Sequence, residues 1–230
     1  MKTILYLTAL VLAFAFRALA QGTFQNLSFE SANLPILLPG QSGGVVPATD
    51  AIPGWQGYLG ANQTFGVFFN DVSLGAPAIS IHSSSSSFTP IAGNYSVILQ
   101  PQFNPNNLPG RDSAAVAQTG QIPAVSQSLR FYSGSGSMQV SFAGQNIPLA
   151  QLGITGNYLI LGGDISAFAG QTGELRFTVP SGPFSYNIPY LDSIVFSTQS
   201  IPEPSTFGLF GLGAFLFGFR ARAVRVISPI

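Results

Sequence analysis

In several places between residues 21 and 200 apolar and polar positions alternate at a period of two, and no stretch sustains the period of 3.6 that a helix needs. Met138, Val140 and Phe142 fall on one side of an extended chain, Gln139 and Ser141 on the other. Leu175, Phe177 and Val179 alternate in the same way with Glu174, Arg176 and Thr178, and Leu129 and Phe131 with Arg130 and Tyr132. Further strands are predicted at residues 23–29, 65–70, 78–82, 95–100, 114–119, 158–161 and 191–197. Strands with one apolar face need a second such face to cover it. Two antiparallel sheets packed face to face follow, an all-β sandwich of jelly-roll type.

Runs of Gly, Ser, Asn and Pro at residues 40–46, 83–87 and 102–110 predict connections that bury no face. Asp164 is suited to cap a short helical turn that Gly170 ends. Both chain ends break the pattern. Residues 1–20 carry Lys2, an apolar core from Ile4 to Phe16 and Ala18-Leu19-Ala20, the order of a secretory signal peptide. At the other end, the uncharged run from Thr206 to Phe219 follows Pro202, Glu203 and Pro204 and is closed by Arg220, Arg222 and Arg225. As a helix this run covers about 21 Å, short of a bilayer core of ~30 Å, and arginine stems lengthen its reach. The basic cluster is retained on the cytoplasmic side, and the prolines keep the preceding chain extended, where a protease could grip it. A plain membrane anchor and a buried core helix are the alternatives, and three arginines behind a Pro-Glu-Pro triplet argue against the second.

Composition narrows the chemistry of the body. Without the two ends, seven acids and three arginines remain, a net charge of about −4, and there is no lysine. Nucleic-acid binding needs a basic patch and is excluded. The chain has no cysteine, so disulfides, thiol catalysis and thiolate metal sites are excluded too.

The tail resembles a PEP-CTERM sorting signal, in which a Pro-Glu-Pro motif, a membrane span and a basic cluster are processed by an exosortase. The resemblance implies that Pro202, Glu203 and Pro204 are the recognised motif, that Arg220, Arg222 and Arg225 are the cytoplasmic stop, and that an exosortase-type enzyme and, through the span, the membrane are partners. Five residues follow the last arginine, more than is usual in that family. The chain then reads as a signal peptide at 1–20, a sandwich at 21–197, a linker with the motif at 198–204 and a transmembrane sorting helix with basic tail at 205–230. The stretches QNLSFESANLP, IPGW, GNYSVILQ, GDISAFAGQTGELRF and YLDSIVFS resemble exported proteins of this class with galactose-binding-like sandwiches. Such sandwiches often bind carbohydrate and often hold a structural calcium near their chain termini.

Glu30 ends the first predicted strand, Asp192 lies near the start of the last, and a sandwich can bring the two together. Asp192 shares parity with Ile194 and Phe196, which points it inward, where a carboxylate needs a partner. Either calcium with backbone carbonyls or backbone N–H groups would serve, with Asp71 as a further candidate ligand. Sugar recognition would use Trp55, Tyr58, Tyr132 and Tyr186, whose rings could stack on pyranose faces beside Asn, Gln and Asp side chains. For Trp55, the one tryptophan, the alternative is a plug in the core. His82 is the one histidine, next to a serine run without a nucleophile elbow, and no carboxylate pair stands out for glycoside hydrolysis. The expectation is a non-enzymatic exported protein of the cell surface or extracellular matrix. It either binds exopolysaccharide or serves as a structural, adhesive matrix component.

Overall fold

A computed structural model describes residues 23–38, 43–104, 106, 112–134, 136–182 and 189–201. The signal peptide, Tyr186, the Pro-Glu-Pro motif, the apolar run and its three arginines lie outside the described residues. Among the described residues no helix is long and apolar enough to cross a membrane.

The body is a sandwich of two sheets. The eight-stranded sheet is built from β1 (Val45–Pro47), β4 (Gly66–Phe69), β5 (Ala78–Ser83), β6 (Tyr95–Gln100), β8 (Ser128–Ser133), β11 (Ala150–Thr155), β12 (Tyr158–Asp164) and β14 (Tyr190–Ser197), in the order β1-β4-β5-β6-β14-β8-β12-β11. The six-stranded sheet holds β2 (Gln56–Leu59), β3 (Asn62–Thr64), β7 (Ala114–Gln121), β9 (Gln139–Phe142), β10 (Gln145–Ile147) and β13 (Thr172–Val179), in the order β10-β9-β13-β7-β2-β3. All pairs are antiparallel except β4 with β5.

The alternation read from the sequence sets which face is inside. Leu129 and Phe131 of β8 meet Leu175, Phe177 and Val179 of β13 in one core, and the Phe131 and Phe177 rings touch edge to face at 5.1 Å. The predicted helical turn is present as a 3-10 turn at Ser166–Phe168, with Asp164 Oδ1 accepting the Ser166 N–H at 2.8 Å and Gly170 at φ 77° behind it. That hydrogen bond holds the Asp164 carboxyl below its ordinary range. Short elements without clear alternation, β1, β2, β3, β10, β11 and the single turn α1 (Ala48–Ala51), were not legible in the sequence.

One predicted strand is not formed. Residues 23–29 run as an irregular segment, because Asn26 and Phe29 sit at positive φ and the Phe29 N–H closes a turn onto the Asn26 carbonyl. The segment still plugs the sandwich through Phe24, Leu27 and Phe29, and its Leu27 carbonyl accepts the Ile194 N–H of β14 at 2.9 Å.

Candidate functional site

The outer face of the eight-stranded sheet is partly roofed. On β5 and β6 the residues facing away from the core, Ser80, His82, Ser96, Ile98 and Gln100, are all buried. Their cover comes from the connections on either side of β5: Ser73 exchanges hydrogen bonds with the Gln100 amide, Ser86 Oγ lies 2.7 Å from His82 Nδ1, and the Ile91 N–H donates to Ser96 Oγ. Where this roof ends, a cavity of about 300 Å³ opens between Thr89–Ile91, Gly134, Asn157, Tyr158 and Tyr190. Its walls converge for a topological reason. Gly134 follows β8, Tyr158 begins β12 and Tyr190 begins β14, and these three adjacent strands share one end of the sheet. The Tyr190 ring lies so close to Gly134 that a Cβ there would come within 2.7 Å of its Cδ2.

Behind the cavity the Tyr132 and Tyr158 rings stack with centroids 4.5 Å apart. Tyr132 is the cross-strand partner of Asp192 on β14 and of Ile160 on β12, so all three share the outer face. The inward orientation expected for Asp192 is therefore corrected. A bulge follows it, with Ser193 at φ 49°, and resets the parity: Leu191, Ile194 and Phe196 enter the core while Asp192 turns outward. It is nonetheless only 1 % exposed, with Oδ2 accepting from Ser96 Oγ at 2.6 Å and Oδ1 from the Ser193 N–H. Burial, helped by the nearby Glu30 charge and opposed by these hydrogen bonds, raises its carboxyl to about 6. Packing against the sheet, then Tyr132, then the Asp192 charge raise the Tyr158 phenol above its ordinary value.

Glu30 and Asp192 thus come near one another, as the sequence expected of the two termini. Glu30 Oε1 accepts the Asn94 and Tyr95 N–H groups at 2.8 and 3.1 Å, and its Oε2 accepts Asn94 Nδ2 at 2.8 Å. Calcium takes six to eight oxygen ligands. Here every carboxylate oxygen of the pair already accepts a protein hydrogen bond, and no group of three or more metal-binding side chains occurs among the described residues. Each of the two acids is thus held in place by protein hydrogen bonds of its own. Asp71 lies apart from it, against His82 and with Oδ1 accepting the Val72 N–H.

The four aromatic candidates do not form one site. Trp55 is 4 % exposed, its ring between Phe29 and Phe177 and its Nε1 donating to the Asn26 carbonyl at 3.0 Å. A turn at Ile52-Pro53-Gly54-Trp55 drives it inward, with Gly54 at φ 85° and the Trp55 N–H on the Ile52 carbonyl, so no face is left for a sugar. Tyr58 lies on the outer face of the six-stranded sheet, across the sandwich from Tyr132. Its hydroxyl donates to Gln56 Oε1 at 2.7 Å, and the Arg176 guanidinium, paired with Glu174 at 2.9 Å, covers one ring face at 4.0 Å. Tyr132 does not line the cavity but stacks on Tyr158, which does, and Tyr186 lies outside the described residues. Sequence reasoning missed Asn157, Tyr158 and Tyr190. The signal was present in the alternation of Tyr158 with Ile160 after a Gly-Asn turn.

His82 is buried beneath the serine run. Ser86 Oγ accepts the Phe88 N–H and shares a hydrogen bond with His82 Nδ1. Phe88 also packs edge-on against the imidazole. Burial lowers the His82 pKa to about 4, against a smaller opposing pull from Asp71.

Residues 200–223 match the PEP-CTERM protein-sorting motif. That match supports an exported, surface-directed protein processed by an exosortase. No curated protein sequence matches the chain. Among solved structures, the apo form of a cyclase from Fischerella sp. is 15% identical over 75% of this chain and 93% of its own, with a TM-score of 0.39. A cyclase from Fischerella sp. TAU in complex with 4-(1H-indol-3-yl)butan-2-one is 13% identical over 76% and 94%, with a TM-score of 0.38. The enzymatically active domain of bacteriophage CBA120 tailspike protein 4 is 14% identical over 63% of this chain and 19% of its own, with a TM-score of 0.35.

Proposed function

We propose that the chain is a non-enzymatic surface or matrix protein whose sandwich binds exopolysaccharide through the cavity at Tyr158 and Tyr190. The observation that carries this reading is the cavity itself: about 300 Å³, walled by two tyrosines with an asparagine amide and a threonine hydroxyl beside them. That volume stands at the lower end of small-ligand sites and suits one sugar residue. Tyrosine faces supply apolar area for a pyranose ring, and amide and hydroxyl groups pair with its hydroxyls. Export and sorting of the protein place such a site where extracellular glycan is available.

The test is a glycan array with polysaccharide pull-down, using the purified full chain and its Tyr158→Ala and Tyr190→Ala variants. Saturable binding that both variants lose is expected. A folded protein that retains no glycan would sink the reading.

A second reading, a structural matrix protein, is favoured by β11. This edge strand carries no charge and presents Ile154 at 66 % exposure, and uncharged edges pair readily with other strands. Concentration-dependent assembly, abolished by Ile154→Lys, would support it.

A further inference from the structure

Resting on the reading of this cavity as a sugar site, we infer that its ligand is an uncharged sugar residue and that Asp192 discriminates against uronate, sulfated and other anionic units.

The polar groups that line the cavity, from Thr89, Asn157, Tyr158 and Tyr190, are neutral donors and acceptors, and none is a cation. Recognition of a carboxylate or sulfate ordinarily employs an arginine fork or a lysine. The one arginine among the described residues of this sheet, Arg130, stands two residues before Tyr132 on β8, away from the cavity end. Its guanidinium is engaged with Ser128, Gln199 and Ser200. Among the described residues two formal charges lie close to the tyrosine stack, and both are negative: Asp192, opposite Tyr132 in the strand register, and Glu30 near it. Asp192 reaches the cavity through one ring: it faces Tyr132 across the strands, and Tyr132 stacks at 4.5 Å on Tyr158, which is itself a cavity wall. Water screens Asp192 poorly, because its carboxylate is roofed over. A neutral hydroxyl arriving at Tyr158 meets donors and acceptors. A carboxylate arriving there meets a like charge and no counter-ion among the described residues.

The experiment is titration calorimetry of the full chain with a panel of neutral oligosaccharides of glucose, galactose, mannose and N-acetylglucosamine, each beside its uronate or sulfated counterpart. The neutral member of at least one pair is expected to bind, with its anionic counterpart roughly tenfold weaker or more. Asp192→Asn should shrink that gap. Lowering the pH of the unaltered protein below the value near 6 at which Asp192 titrates, which neutralises this acid but not a sulfate, should shrink it as well and keeps the test valid if the variant fails to fold. Equal affinities, tighter binding of the anionic member, or a gap that neither the variant nor low pH changes would overturn the inference while leaving sugar binding intact. Absence of binding by every member of the panel would overturn both.

Discussion

Trp55 and Tyr58, three positions apart, stand on opposite faces of one sheet: Trp55 packs into the core between Phe29 and Phe177, and Tyr58 lies outside beneath Arg176. Their substitutions should separate stability from binding. Trp55→Ala removes the largest ring of the plug and is expected to cost about 3–5 kcal/mol in denaturant unfolding. Tyr58→Ala removes a half-exposed ring and one cation–π contact, and should cost about 1 kcal/mol. Tyr58→Ala should leave glycan binding unchanged, whereas Tyr158→Ala should abolish it with little loss of stability. Loss of binding in the Tyr58 variant would move the site to the other sheet.

The pH dependence of stability should reveal two buried groups that oppose each other. Asp192 titrates near 6 in the fold and near the ordinary 3.8 when unfolded. Between these values the folded chain holds a proton that the unfolded chain releases, so this group lowers stability as pH rises from about 4 to 6. His82 titrates near 4 in the fold and near 6.5 when unfolded, so the unfolded chain binds the extra proton, and stability is lost as pH falls through the same window. Each contribution is on the order of 3 kcal/mol, and the two nearly cancel. Urea unfolding at several pH values should therefore give a shallow profile between pH ~4 and ~6 for the natural chain. Asp192→Asn should expose a loss of stability toward low pH, and His82→Gln a gain. Profiles of the same slope in both variants would contradict this assignment.

Glu30 ties the irregular first segment to the head of β6 through three N–H donors. Glu30→Ala removes charge-assisted hydrogen bonds from an exposed side chain and is expected to cost about 1–2 kcal/mol. Because these oxygens and those of Asp192 are already engaged, millimolar calcium should leave the melting temperature unchanged. A saturable rise with calcium, absent from the Glu30 variant, would instead place the cation between the two acids.

The sandwich was legible because several of its core strands alternate cleanly, and β8, β9 and β13 place their apolar residues as that alternation dictates. The failures share a cause, since positive φ is invisible to a periodicity argument. At Asn26 and Phe29 it converts a predicted strand into turns, and at Ser193 it reverses the side on which Asp192 emerges. The cavity was hidden for another reason. Its walls come from four separate stretches that only the strand order β14-β8-β12 brings to one sheet end. Residue types chose the right class of side chain, tyrosine, but could not say which tyrosines meet.

Arg130 and Ser128 hold the chain just ahead of the sorting motif. Ser128 Oγ donates to the Gln199 carbonyl at 2.6 Å, and the Arg130 guanidinium donates to Gln199 Oε1 at 3.2 Å and to the Gln199 and Ser200 carbonyls at 3.4 Å. The Gln127 N–H on the Ser197 carbonyl extends the tie backward. Fixed chain therefore reaches Ser200, where the match to the sorting motif begins. An enzyme that draws on the Gln199 or Ser200 carbonyl to engage the motif would first have to break this tie. Replacing Ser128 and Arg130 together by alanine removes bonds of about 1 kcal/mol each and should leave the core intact. Hydrogen exchange at residues 198–200 should accelerate, and mass spectrometry of the exported protein should find a larger processed fraction than in the natural chain. Faster exchange without a change in processing would mean that the enzyme's grip begins beyond Ser200.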